Sequence, residues 1–335
     1  MTMSHETSGQ ERGAATALVE AAATAGYAPS LHNTQPWRWR VLPRQLELHA
    51  VRERQLPATD PQAQLLTLSC GTALHHATTA LTAEGWNATV ERFPDPADEN
   101  LLARITIGER ITVDPEAMRT VQCMRMRHTD RRPVSEEPVA QEDLYAIGRS
   151  ADAQGARLQL LDTDQMMTLA AAAAQAAEVE ANDPEFQAEL AYWTSRGAPG
   201  GTGLPVEVLP ASHPQTTVPG RDFGRAGTLP IGPGHDRAAT FALLNGDEDE
   251  PVSWLRAGEA LSAAWLTATR LGVSVVPLSG VIEVAGTRQA LRVMLAGLGY
   301  PYLVLRLGIA DPEHAGPPHT PRLPTGQVVD TTALR

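Results

Sequence analysis

The sequence predicts an α+β protein whose architecture is laid down twice within one chain. Ala-rich stretches with apolar residues at helical spacing alternate with short runs in which bulky and polar residues alternate, the signature of strands. The order helix, strand pair, helix, strands then begins again after Asp114-Pro115, with extra helices. The 335 residues suffice for one large domain or two ordinary ones.

The first ten residues are polar and are expected to be disordered. Residues 11–25 (ERGAATALVEAAATA) read as a helix stopped at Gly26. WRWRVL and LELHA read as two strands around a short turn at Pro43-Arg44-Gln45. LLTLSCGTALHHATTALTAEGW reads as a long helix ending at Gly85, with Leu74, Ala77, Thr78 and Leu81 on one stripe. ATVERF and LLARITIG are strand candidates flanking a Pro/Asp-rich loop. Beyond a boundary near 112–120, EAMRTVQCMRMRHTD and QEDLYAIGRSADAQ read as helices and ARLQLLD as a strand. MMTLAAAAAQAAEVEA and PEFQAELAYWTSRG are helical, as is SWLRAGEALSAAWLTATRLG, whose Trp254, Gly258, Leu261, Trp265 and Ala268 stripe reads first as core. VSVVP and LVLRLGI suit buried strands.

Residues 197–235 break the pattern, with nine glycines and seven prolines among 39 positions. The segment still carries Leu204, Val206, Val208, Leu209, Phe223, Leu229 and Ile231, so a lid that packs onto the body is favoured over a free linker.

Composition narrows the function classes. The net charge is −12, which disfavours binding to nucleic acid or an anionic membrane. All 27 basic residues are arginine. Two cysteines, Cys70 and Cys123, are too few for a disulfide scaffold or structural zinc. No basic stretch followed by an apolar run opens the chain, and no run approaches bilayer length; a soluble, cytoplasmic protein is expected. His75 and His76 are adjacent and should point to different helix faces, and no metal-ligand spacing is present. Gly200-Gly201-x-Gly203 lacks the strand and helix of a dinucleotide loop, and Asp247–Glu250 reads as a solvated acidic turn. Cys70 on an apolar helix reads as an inert thiol.

Two constellations remain. Ala28-Pro29-Ser30-Leu31-His32-Asn33-Thr34-Gln35-Pro36-Trp37 is either a well-capped turn or a loop whose short polar side chains meet a ligand. Arg125-Met126-Arg127-His128-Thr129-Asp130-Arg131-Arg132 is either a basic surface patch or an anion cradle.

The first of these resembles the PSxxNxQPW element of the FMN-dependent nitroreductase family, through Pro29, Ser30, Asn33, Gln35, Pro36 and Trp37. Arg127-x-Thr129-x-Arg131 resembles that family's RxSxR element, with Thr in place of Ser. Thr320-Pro321-Arg322-Leu323-Pro324 resembles the C-terminal arginine segment that reaches the flavin phosphate. RQLPATDP and SCGTALHHATTALTAEGW resemble the double-length Acg branch, and the likeness runs over most of residues 15–330.

The resemblance implies a nitroreductase-like fold, a central mixed sheet flanked by helices, internally duplicated. The order of the two elements is reversed relative to single-length family members, and no RxSxR precedes Pro29. A fused pseudo-dimer with one complete site resolves this: residues 11–115 form a degenerate half and 116–335 the second half, with 197–235 as its lid. The implied cofactor contacts are Pro29, Ser30, Asn33, Arg127, Thr129, Arg131, Pro277, Leu278, Ser279 and Arg322. Arg127, Arg322 and the Thr129 hydroxyl would hold the FMN phosphate, Arg131 would face N1 and O2, and Leu278 or Ser279 N–H would contact N5 or O4. No catalytic side chain and no metal are implied. The expected activity is NAD(P)H-dependent reduction of a nitroaromatic or quinone; the alternative is a non-catalytic flavin-sequestering protein occluded by its lid. Expected partners are a small-molecule electron acceptor and neither nucleic acid nor membrane; a monomer suffices, or a weak homodimer.

Overall fold

The computed structural model describes residues 2–197, 200–232, 235–311, 316 and 318–334. Residues 198, 199, 233 and 234 of the lid segment therefore lie outside the described residues.

Helix α1 (Thr2–Ala25) takes in residues 2–10, expected to be disordered, as well as the Ala-rich run, which no proline interrupts. Strands β1 (Trp37–Val41) and β2 (Gln45–Ala50) form the expected antiparallel hairpin, and β1 alternates buried and exposed along its length. Trp37, Trp39 and Val41 point into the core, while Arg38 and Arg40 face outward. Helix α2 (Gln64–Ala83) is buried on nearly every side rather than along one stripe, because helices of both halves pack around it. Strands β3 (Trp86–Arg92) and β4 (Leu101–Arg110) complete the first-half sheet. The sheet order is β3-β4-β2-β1, with a last strand, β9 (Val329–Asp330), joined parallel to β1.

Asp114 caps α3 (Pro115–Met126) by accepting from Glu116 N, with Pro115 in the first turn. Helix α4 (Gln141–Asp152) and strand β5 (Arg157–Leu160) follow. Asp162 and Gln165 form a reciprocal capping box on α5 (Thr163–Ala181), and Asp183 caps α6 (Pro184–Thr194). After the Pro/Gly-rich segment come β6 (Thr240–Gly246), α7 (Pro251–Arg270), β7 (Val273–Leu278), α8 (Gly280–Glu283), α9 (Ala285–Met294), β8 (Tyr300–Ile309) and α10 (Thr325–Val328). The second sheet is antiparallel throughout, in the order β5-β6-β8-β7. Each part of the chain thus has its own sheet, the first of them mixed.

Strand β6 was not foreseen. Its Ala242 and Leu244 enter the core under α4 and α7, whereas Phe241 and Leu243 enter the core under α5 and α9. A strand apolar on both faces carries no alternation to read.

The halves meet where α2 crosses α7. A Cβ at Gly71 would fall 2.0 Å from the Leu255 carbonyl oxygen, and one at Gly258 would fall 1.9 Å from that of Leu68. Only glycine lets the two backbones come this close. His75 and His76 consequently reach the same neighbour, both bonding the Ser262 hydroxyl, at 2.8 and 2.9 Å. They do not diverge as their adjacency suggested, because α7 lies close enough to span both positions.

Candidate functional site

A cavity of about 1170 Å³ opens between the halves. All ten residues singled out as cofactor contacts line it.

The Pro29–Trp37 loop is held in a strained conformation. His32, Asn33 and Gln35 have φ of 46°, 55° and 50°, the left-handed region that side-chain-bearing residues rarely adopt. The surroundings impose it. Ser30 Oγ accepts from Gln35 N at 2.9 Å, and Thr72 Oγ1 of α2 donates to the Pro29 carbonyl at 2.7 Å. Arg54 donates to the Gln35 carbonyl at 2.8 Å. The Gln35 amide donates to Gly201 O and accepts from Leu323 N, which ties the first half to the Pro/Gly-rich segment and to the C-terminal segment. Asn33 works the same seam: its Nδ2 donates to Pro321 O at 2.9 Å and Gly203 O at 3.2 Å.

Arg127 and Arg322 come together although they are far apart in sequence. Both donate to the Tyr27 carbonyl, at 3.3 and 3.2 Å. Arg322 Nη1 also donates to Asn33 Oδ1 and Thr320 Oγ1, each at 2.7 Å. The Arg127 guanidinium stacks 4.5 Å above the Trp265 ring. Among the described residues no carboxylate pairs with either arginine, and the Nε atom of each is buried without a partner. Burial and then the neighbouring Arg322 pull Arg127 down to about 9; burial pulls Arg322 down to about 10.

The loop after α3 is fixed from the second sheet. Arg306 of β8 donates to the carbonyls of Asp130 and Arg132, at 2.9 and 2.8 Å, and pairs with Asp236 at 2.7 Å. Arg132 is bound to Asp130 at 2.7 Å. Arg131 is left facing the cavity, where its Nη1 donates to Val208 O at 3.1 Å and its guanidinium lies 5.2 Å from the Phe223 ring. Burial, then repulsion from Arg221, lowers it to about 10.

Residues 204–226 of the Pro/Gly-rich segment form a wall of the cavity. Leu204, Val208 and Leu209 cluster with Phe223, and Pro210 and Leu229 pair as a short parallel bridge. Leu229 is buried as well, whereas Val206 and Ile231 are only half-buried. Arg221 anchors the segment between two carboxylates, 2.5 Å from Glu283 Oε2 and 3.4 Å from Glu180 Oε1. Its ring neighbour is Phe186, at 5.3 Å.

The remaining expectations fall out as follows. Pro277 and Leu278 end β7 and Ser279 precedes α8, so the expected backbone passes along the cavity. Trp265 and Leu261, read first as core, do both jobs: they belong to the α7 core and also face the cavity. Cys70 is buried, donates to the Pro36 carbonyl, and has its thiol pushed far up by burial. Sequence reasoning passed over His32, Arg221 and Glu180. The signal for Arg221 was a basic residue directly after Gly220 in a segment otherwise short of charge.

No family model matches the chain. Rv3131 of Mycobacterium tuberculosis, named as a candidate NAD(P)H nitroreductase, is 41% identical over 310 residues, covering 90% of this chain and 88% of that protein. A second protein of that organism, given the same kind of name with the designation acg, is 32% identical over 313 residues, covering 91% and 93%. Among solved structures, the FMN- and NADPH-dependent nitroreductase NfnB of Sphigopyxis is 15% identical over 63% of this chain and 97% of that one, with a TM-score of 0.39. At 41% and 32% identity over nine-tenths of its length, the chain belongs to the nitroreductase family, in its Acg-like branch.

Proposed function

We propose that the chain binds one FMN in this cavity and acts as an NAD(P)H-dependent oxidoreductase on nitroaromatic or quinone-like small molecules. The observation that carries the reading is the Arg127–Arg322 pair. Two buried guanidiniums with unpartnered Nε atoms and no carboxylate among the described residues are costly until a dianion meets them. A terminal phosphate has that charge and geometry, and the cavity volume accommodates a flavin mononucleotide with room beside it.

The family relatives named for NAD(P)H nitroreduction support the activity. FMN, when bound, supplies the hydride chemistry, so no acid or base among the side chains is assigned a catalytic role. Arg127, Arg322 and Thr129 hold the phosphate; Asn33 orients Arg322 through its Oδ1 contact. Pro29 and Ser30 set the strained loop; Pro277, Leu278 and Ser279 line the cavity, where Leu278 or Ser279 would supply a backbone N–H to N5 or O4. Arg131, which faces the cavity, would stand beside N1 and O2 and favour negative charge there. Because Pro29, Ser30 and Asn33 belong to 11–115 and the arginines to 116–335, one composite site per chain follows. A monomer is then sufficient. Among the described residues no helix is long and apolar enough to cross a membrane.

One observation favours a second reading, a flavin store. The 197–235 segment is fastened by Arg221 to Glu283 and Glu180 and by Gly201 and Gly203 to the Pro29–Trp37 loop, which suits a lid that stays shut. The purified protein should be yellow and should bleach on NADPH addition. Replacing residues 201–232 with a short Gly/Ser bridge should raise turnover of a quinone. A full-length protein inert to every donor, with no gain in the flavin-loaded deletion variant, would overturn the enzyme reading in favour of storage.

A further inference from the structure

A second set of unpartnered donors lies in the same cavity, separate from the phosphate pair. His32 is 6% exposed, lines the cavity, and its Nε2 has no partner among the described residues. The Arg221 side chain is 9% exposed, and while its Nη2 binds the two carboxylates, its Nη1 has none. Arg131, assigned above to the flavin ring, acts electrostatically on both, which puts the pair beside that end of the cofactor site.

His32 is presented deliberately in the physical sense. A φ of 46° costs a β-carbon-bearing residue of order 1 kcal/mol or more. The neighbouring bonds from Ser30, Ser69 and Thr72 hold the loop in that shape. Burial, with Arg221 and Arg131 facing it, keeps the imidazole neutral, so it retains one N–H donor. The charged groups that act on it are Arg221 from the lid segment and Arg131 from the loop after α3, both lining the cavity. Glycine or asparagine would suit the backbone better at this position, so the strain points to the side chain as its purpose.

We propose that His32 and Arg221 Nη1 form an oxygen-binding pole that receives the electron-rich oxygens of the molecule to be reduced, the carbonyl oxygen of a quinone or the oxygens of a nitro group. The proposal rests on the flavin oxidoreductase reading and adds to it the side chains that select the acceptor. Ligands whose reducible group bears an oxygen give these two donors an acceptor; acceptors without such an oxygen leave them buried and unpaired. Arg221 makes the lid segment part of that selection.

The test uses the FMN-loaded, oxidised protein without any electron donor. 2-Methyl-1,4-naphthoquinone and 4-nitrobenzoate are titrated while the flavin absorbance is followed. His32→Gly keeps a residue at ease with φ near +46° and removes the imidazole, so its melting temperature should equal or exceed that of the wild type. It should weaken both ligands about three- to tenfold, the loss of one buried hydrogen bond. His32→Asn, which suits the same backbone and keeps an N–H, should recover part of that loss, while the FMN Kd stays the same in all three proteins. Unchanged quinone and nitrobenzoate Kd in a normally FMN-loaded His32→Gly protein overturns the pole alone. A raised FMN Kd with unchanged quinone binding also overturns it, because the donors would then serve the cofactor. A wild-type chain that binds no FMN sinks the underlying reading and the pole with it.

Discussion

Replacing Arg127 by methionine should move two measurements in opposite directions. In the folded chain Arg127 stays charged at neutral pH but is pulled from 12.5 to about 9, which corresponds to roughly 4–5 kcal/mol of unfavourable environment as an upper bound. Desolvation is the larger cause and Arg322 the smaller. Its compensation is thin: one bond to Tyr27 O at 3.3 Å and the face of Trp265. Methionine fills much of the same volume beside Trp265 without a charge, and buried ions replaced by apolar residues stabilise by about 1–4 kcal/mol in other proteins. The FMN-free Arg127→Met protein should therefore unfold at higher denaturant than the FMN-free wild type. Its FMN affinity should fall by roughly tenfold to over a hundredfold, since a charge-assisted bond to the phosphate is worth about 1.5–3 kcal/mol. Urea unfolding of both proteins stripped of flavin, beside fluorescence titration with FMN, measures the two effects. A variant that is less stable without flavin and binds FMN as tightly as the wild type would refute the argument, because Arg127 would then be a structural cation.

Titration should saturate at one FMN per chain, and Asn33→Ala should raise the Kd by about two- to tenfold through loss of the Arg322 contact; two equivalent flavins per chain contradict the composite site. Gly258→Ala places a methyl group 1.9 Å from Leu68 O and 2.8 Å from Gly71 Cα, so the two helices must part. A loss of about 2 kcal/mol or more is expected by urea unfolding, and an unshifted midpoint would show that the crossing is looser than described. Glu180 is raised from 4.5 to about 7, by burial first and by Glu283 among its neighbours, against the opposing pull of Arg221. A raised carboxyl favours the native state at low pH and loses that contribution as pH climbs from about 4.5 through about 7. The stability difference between wild type and Glu180→Gln should therefore drift against the wild type across that interval, and a flat difference disproves the raised value.

The parts of the site that were legible in the sequence are those whose chemistry is local. The Pro29–Trp37 and Arg127–Arg131 elements carry fixed spacings of side chains that act within a few residues, and both face the cavity. The helix starts after Asp114 and Asp183 were legible for the same reason, since a cap is a contact over two or three positions, whereas Asp162, which caps α5, was read as the end of the preceding strand. What stayed hidden depends on distant partners. The Arg221 anchor joins residues 41 and 62 positions away, and the common Ser262 partner of His75 and His76 exists only because two glycines bring α2 and α7 together. Strand β6 was invisible because both of its faces are buried. The left-handed backbone at His32, Asn33 and Gln35 is likewise a product of the fold: Asn33 tolerates that region by itself, but His32 and Gln35 are held there by bonds from Thr72 and Arg54.

The pairing of β9 with β1 sets an order of events during biosynthesis. Trp39 and Arg40 find their partners Val329 and Asp330 only after about 290 further residues have been added. At ribosomal speeds of about 5–20 residues per second, that leaves the β1 margin without its neighbour for roughly 15–60 s. An unpaired strand with two tryptophans beneath it invites a second nascent chain to add on. Arg38 and Arg40, pointing outward on alternate positions of that same strand, put like charges where such an intruder would lie. In the finished molecule Arg38 pairs with half-buried Asp330 of β9 and Arg40 with buried Glu47 of β2, both at a long 3.5 Å. Their value is greatest on the polysome, before the molecule that contains them exists.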